Sequence, residues 1–212
     1  MYLLTIFLIL HKRKIIISGN PIREVIRYYG TKIQSSKILK KLNLIPNYYF
    51  LATFHRAECV DKKEKLEQII QGLVRVAVKY SMPVVVSVHP RTRNQLDEQA
   101  TLVINNNIKF LEPLGFFDFV KLEKNALCII SDSGTVCEEG TILRTPTVIC
   151  RNSTERPETI EVGSAMLSGI SGENILKCTE IMVNSKTDWN MPEGYMDLNV
   201  SDKIVKYLTG KI

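Results

Sequence analysis

This sequence predicts an α/β fold, a Rossmann-like doubly wound parallel sheet, on two observations. From residue 48 onward, short β-rich runs alternate with longer stretches whose apolar residues recur at helical period. Runs such as 84–88 and 126–130 are almost wholly apolar, the pattern of parallel strands buried on both faces. Repeated βα units of this kind stack helices on both sides of one sheet. A chain of 212 residues can bury such a core without disulfides or a structural metal.

The elements follow in order. A strand is expected at 48–53. Asp61 is placed to cap the next helix, with Glu64 at its third position. Leu66, Ile69, Ile70, Leu73, Val74 and Ala77 then form one apolar helical face, which Pro83 ends before the strand at 84–88. A polar helix at about 91–104 precedes a strand at 108–111, a short helix at 116–123 and a strand at 126–130. Gly134 opens a helix to about Leu143; strands at 146–150 and 165–167 and helices near 172–183 and 201–208 complete the chain. Three segments result: an atypical apolar start at 1–12, a linker or helical entry at 13–47, and the α/β unit at 48–212.

Composition excludes several classes. With 45% hydrophobic and 24% charged residues and no low-complexity tract, the chain is globular rather than disordered. A net charge of +6 could serve nucleic acid, but the basic residues are spread along the chain instead of clustered with aromatics. An enzyme acting on a diphosphate explains that charge equally well. The five cysteines form no CxxC pair, and His11, His55 and His89 lie far from any cysteine pair, so no metal site is expected. Reduced thiols suit a cytoplasmic setting. The opening MYLLTIFLIL is too short to span a bilayer and has its basic cluster after it rather than before. A buried strand or a non-native start fits it better than a membrane anchor.

Chemistry concentrates at strand ends. His55-Arg56-Ala57-Glu58 follows the first strand, His89-Pro90-Arg91 the second, Glu112-Pro113 the third, Asp132-Ser133-Gly134 the fourth and Arg151 through Glu158 the fifth. In open α/β sheets the ligand crevice lies outside the carboxyl ends of the strands. Ser131 through Thr135 lead into a helix whose N-terminal N–H groups and dipole suit an anion. Glu138 and Glu139 either complement that dipole or give one carboxylate to the hydroxyls of a ribose. The stretch Arg151 to Glu158 is either a solvated loop or a diphosphate-binding one, where guanidinium groups give directed contacts. His55 could bind phosphate, donate a proton to a leaving group, or be structural.

These motifs, in this order and spacing, resemble the non-hydrolysing UDP-N-acetylglucosamine 2-epimerases, C-terminal half. The matching stretches are His55 to Glu58, Val88 to Pro90, Glu112 to Leu114, Asp132 to Glu139 and Ser153 to Glu158, with Ser18 to Pro21 resembling the stretch that enters that family's second domain. The resemblance implies the second domain of a glycosyltransferase-B-like fold, with the N-terminal Rossmann domain missing and UDP held mainly by the half seen here. It implies interconversion of UDP-N-acetylglucosamine and UDP-N-acetylmannosamine. UDP is eliminated with the C2 proton to give a 2-acetamidoglucal and is then added back, without metal or redox cofactor.

Carried onto this chain, the resemblance makes His55 the catalytic residue beside the diphosphate. Ser133 and Gly134 would hold phosphate oxygens, Glu139 the ribose hydroxyls, Arg156 the nucleotide, and Phe119 would lie against uracil. Arg56 and His89 resemble positions in a second, regulatory site. Cys59, Cys137 and Asn152 depart from the family's usual Asn, Gln and Asp, and Cys137 is expected beside the phosphate and ribose contacts. The carboxylates and lysine that handle the C2 proton have no counterpart here, which suggests a split gene and nucleotide binding without turnover by this chain alone. The expected partners are a UDP-sugar and a separately encoded N-terminal domain, a homodimer being compatible. The competing readings are a non-catalytic UDP-binding module and the donor half of a glycosyltransferase. The His55 to Glu58 and Thr154 to Glu158 stretches argue against the last.

Overall fold

A computed structural model describes residues 16–89, 92–93, 95 and 105–210. The apolar start, and most of the helix expected at 91–104, lie outside the described residues. Three short helices come first: α1 (Ile22–Tyr28), α2 (Gly30–Ser35) and α3 (Ile38–Lys41). Then follow β1 (Phe50–Phe54), α4 (Ala57–Val60), α5 (Lys63–Tyr80), β2 (Val84–Val88), β3 (Ile108–Leu111), α6 (Phe116–Asn125) and β4 (Cys128–Ser131). The remainder is α7 (Gly134–Leu143), β5 (Thr147–Ile149), α8 (Pro157–Glu161), β6 (Ala165–Leu167), α9 (Gly172–Asn184) and α10 (Val200–Leu208).

All five strand pairings are parallel, and the order across the sheet is β3-β2-β1-β4-β5-β6. Chain order therefore reverses between β1 and β4, which pair from Phe50↔Cys128 to Thr53↔Ser131. That reversal is the switch point at which a crevice opens beyond the strand ends. The apolar runs are buried as both-face coverage requires: β2 and β4 are buried at every position.

Each face of the sheet has its own core. On one, the α5 stripe of Leu66, Ile69, Ile70, Leu73, Val76 and Ala77 packs with Ile175 and Met182 of α9 against Phe50, Ala52, Val84, Val86 and Ile130. There α5 and α9 approach at a glycine pair: a Cβ on Gly172 would lie 2.8 Å from Gln68 O and 2.9 Å from Gly72 N. On the other, Leu51, Val85 and Ile129 meet Leu122 and Ala126 of the α6 region, Val136 of α7 and Ile38 of the entry segment. The entry segment meets the segment before the last described helix, Asn20 N donating to Gly194 O at 3.0 Å.

Three local expectations change. Asp61 is the residue that closes α4 rather than the cap of α5, which starts one residue later with Lys62 at its N-cap; the short helix α4 takes up the turn. The presumed loop at 151–158 ends at Arg156, because Pro157 occupies the first position of α8, where its missing N–H is no loss. Cys137, expected beside the phosphate and ribose contacts, is wholly buried with Ile149 and Ala165, its Sγ 3.0 Å from Thr159 Oγ1.

Candidate functional site

The ends of β1 and β4 at the switch point are joined through Asp132. Its side chain is fully buried and accepts from the backbone N–H of His55 at 3.1 and 3.2 Å and of Arg56 at 2.9 Å. A buried carboxylate is tolerable only when its lone pairs meet donors, and here two backbone N–H groups supply them. Asp132 Oδ1 also lies 3.4 Å from His55 Nδ1, which orients the imidazole and leaves its side chain 40% exposed toward the crevice. The His89 ring stands 5.8 Å from that of His55, centroid to centroid.

Helix α7 begins at the same place. Ser133 is its N-cap and makes no side-chain capping bond, while Ser133 N donates to Ser131 Oγ at 3.1 Å. Gly134 is the first helical residue; a Cβ there would be 3.8 Å from Arg156 Cγ and 4.0 Å from Arg56 Nη2. Two guanidinium-bearing side chains thus flank a helix N-terminus whose N–H groups and dipole already favour an anion. A glycine at that position lets a ligand approach the backbone closely.

Acidic side chains hold the arginines in place. Arg151, 5% exposed, donates Nε to Glu58 at 2.8 Å and two further nitrogens to Glu155 at 2.6 and 2.9 Å. These hydrogen bonds pull the Glu155 carboxyl down to about 2. Arg56 meets the same Glu155 at 3.4 Å. Arg156 pairs with Glu138, whose pKa is raised because burial outweighs the pull of that arginine. Asn20, from the entry segment, also reaches Glu138. Of the two arginines suggested by the 151–158 stretch, Arg151 is thereby committed to its carboxylates, whereas Arg156 is beside the helix N-terminus.

Glu139 lies deeper, 6% exposed, and its neighbour is the wholly buried Glu123 of α6. Burial, opposed by a hydrogen bond from Glu123, pushes Glu139 up to about 7. Phe119 is half-buried on α6, packed on the core of that face. The structure therefore gathers His55, Arg56, His89, Ser133, Gly134 and Arg156 around one crevice end. Phe119 and Glu139 lie on the two helices, α6 and α7, that pack together beside it. Sequence reasoning had not singled out Asp132, Glu58, Arg151 or Glu123 for a role of its own. For Asp132 a signal existed, an acidic residue directly after an apolar strand; for Glu123 there was none, since a glutamate in a polar helical stretch reads as solvated.

Comparison with known proteins gives one consistent family. Residues 6–209 match the model of the UDP-N-acetylglucosamine 2-epimerase family. The chain is 39% identical over 212 residues to the UDP-N-acetylglucosamine 2-epimerase of Methanocaldococcus jannaschii, covering 94% of this chain and 56% of the relative. It is 40% identical over 204 residues to that of Methanococcus maripaludis, covering 93% and 55%. Among solved structures it is similar to the M. jannaschii UDP-GlcNAc 2-epimerase in complex with UDP-GlcNAc and UDP, with a TM-score of 0.87 and 37% identity, over 95% of this chain and 56% of that one. The Rickettsia bellii UDP-N-acetylglucosamine 2-epimerase gives a TM-score of 0.80 at 34% identity, covering 91% and 52%. The chain thus spans a little over half the length of the relatives it matches.

Proposed function

Because the chain belongs to the UDP-N-acetylglucosamine 2-epimerase family, we propose that its 212 residues form the nucleotide-holding half of such an enzyme. The observation that carries this reading is the convergence at Gly134, where a helix N-terminus, Arg156 and Arg56 surround one point beside His55. A diphosphate suits the helix N-terminus and the Arg156 guanidinium beside it. The M. jannaschii structure was solved with UDP-GlcNAc and UDP.

In this reading the Ser133 hydroxyl and the Gly134 N–H bind the diphosphate, with Arg156 alongside. Phe119 lies against uracil and Glu139 accepts the ribose hydroxyls. His55, held by Asp132, stands at the diphosphate. As the C1–O bond breaks, its imidazolium neutralises charge on the departing UDP, and it reverses that role when UDP adds back. The proton at C2 is removed and returned by residues other than these 212. The 212 residues alone then bind UDP without turnover. Arg56 and His89 contribute to a second, regulatory nucleotide-sugar site.

The alternative reading is a UDP-sugar-binding module with no catalysis. An assay for UDP-N-acetylmannosamine formation separates them. The epimerase-half reading expects product only when a matching N-terminal domain is added; no product with any such domain supports the module. For the site itself, replacing His55 or Arg156 with Ala should each weaken UDP binding by roughly tenfold or more, the scale of a lost charge-assisted bond. Unchanged affinity in both variants overturns the assignment.

A further inference from the structure

Glu123 is an unusual residue for a helix that packs on a core. Its side chain has no exposed surface, and neither carboxyl oxygen meets a hydrogen-bond donor of fixed geometry among the described residues. The groups facing it are Glu139, from α7, and Tyr49, which precedes β1. The Tyr49 hydroxyl is already committed, donating to Leu122 O at 2.6 Å. On its own helix, Glu139 faces Glu138, and Arg156 stands one step beyond as the partner of Glu138. No cation therefore reaches the Glu123–Glu139 pair directly among the described residues.

Two neighbouring buried carboxyl groups cannot both ionise at neutral pH. Burial first, and then the charge of Glu139, hold Glu123 well above the usual carboxylate range. The proton of the pair therefore resides on Glu123, the more deeply buried of the two. A neutral carboxylic acid has one O–H to give, and a carboxylate has lone pairs to receive it; an apolar pocket that keeps an acid protonated turns it into a hydrogen-bond donor. Glu139 retains a sliver of accessible surface, 6% against 0% for Glu123, so its remaining lone pairs are the ones a ligand can reach.

We propose that Glu123 is a positioning residue for nucleotide recognition: a buried carboxylic acid that donates its O–H to the Glu139 carboxylate and aims that carboxylate at a diol. This rests on the reading in which Glu139 accepts the ribose hydroxyls. The Glu123 proton stays where it is. Below about pH 7 Glu139 carries a second proton, which it gives to solvent when the ribose hydroxyls bind, so affinity rises with pH through the Glu139 titration. Without the O–H of Glu123 the ionised form of Glu139 loses a stabilising bond, and the rise moves to higher pH.

The test is calorimetric titration with UDP-N-acetylglucosamine, whose diphosphate lacks the ionisation near pH ~6 that a terminal phosphate carries. Glu123→Leu should weaken binding roughly tenfold near neutral pH, the scale of a hydrogen bond to a charged group, and should shift the pH profile upward. Glu123→Gln should stay within about twofold of the parent, because its amide N–H donates in place of the acid. Glu123→Leu should also melt no lower than the parent, since it removes a buried carboxyl that has no fixed donor, which separates lost affinity from lost folding. Parental affinity and pH profile in Glu123→Leu, or tighter binding in Glu123→Gln, overturns the proposal. Glu139→Gln distinguishes the two levels. If it binds as the parent does, the ribose reading itself fails; if it weakens while Glu123→Leu does not, only the positioning role fails.

Discussion

Replacing Asp132 with Asn probes the joint on which the crevice depends. The native carboxylate takes two backbone N–H groups, His55 at 3.1 and 3.2 Å and Arg56 at 2.9 Å, with no exposure of its own. Asn can set its amide oxygen where Oδ2 stands, within reach of both N–H groups, but two charge-assisted bonds then fall to neutral strength, about 1 kcal/mol each, and its NH2 group replaces Oδ1 beside the His55 ring. A destabilisation of about 2 kcal/mol follows, or roughly 4–8 °C in Tm for a chain of this size. Urea unfolding followed by circular dichroism reads it as a lower midpoint at unchanged slope. UDP affinity should fall as well, because His55 Nδ1 loses the oxygen 3.4 Å away that orients it. A midpoint within about 0.5 kcal/mol of the parent would refute the account of the joint. Lost stability with parental affinity would refute the orientation of His55 through it.

Other outcomes follow from the same coordinates. Glu139 has a folded pKa raised to about 7 from 4.5, so its contribution to stability is complete below about pH 4.5 and is lost as pH rises through about 7. Urea midpoints should therefore decline between those limits, and Glu139→Gln should flatten the decline; an equal slope in both proteins contradicts the buried pair. Glu155 has the opposite sign, its folded pKa lowered to about 2 by Arg151, so its stabilisation is present above about 4.5 and lost on acidification toward 2. Being half-exposed, it should contribute a shallow slope only. Gly172→Ala puts a methyl group 2.8 Å from Gln68 O and should cost about 1–3 kcal/mol in unfolding experiments. Of the five thiols, four are buried, and burial pushes Cys59, Cys128 and Cys137 up to about 12. Native alkylation read by mass spectrometry should therefore modify Cys178 first.

The strands were legible because burial on both faces leaves an apolar run that side-chain chemistry cannot disguise. The run at 84–88 matches β2 residue for residue, and the expected stripe from Leu66 to Ala77 is the buried face of α5 except at Val74, which is half-buried while Val76 is buried in its place. Strand edges were less so. Thr147–Ile149 is shorter than the expected 146–150, since pairing with β4 and β6, and not apolarity, sets where a strand stops. Much of the site could be read because ligand chemistry must stand at strand ends, and His55, Ser133, Gly134 and Arg156 do. What stayed hidden was pairing across the chain. Arg151 and Glu58 are 93 residues apart, and no local pattern says that this arginine is held by Glu58 and Glu155 while Arg156, paired with Glu138, stands beside the helix N-terminus. Cys137 was expected beside the phosphate and ribose contacts by proximity in sequence, but its thiol is buried and taken up by Thr159.

The central claim is that this chain holds the nucleotide, and calorimetric titration with UDP tests it most directly. Saturable binding with Kd between about 1 μM and 1 mM is expected, weakening as salt is raised because the contacts are charged. Absence of binding at millimolar UDP, with the protein folded, would contradict it.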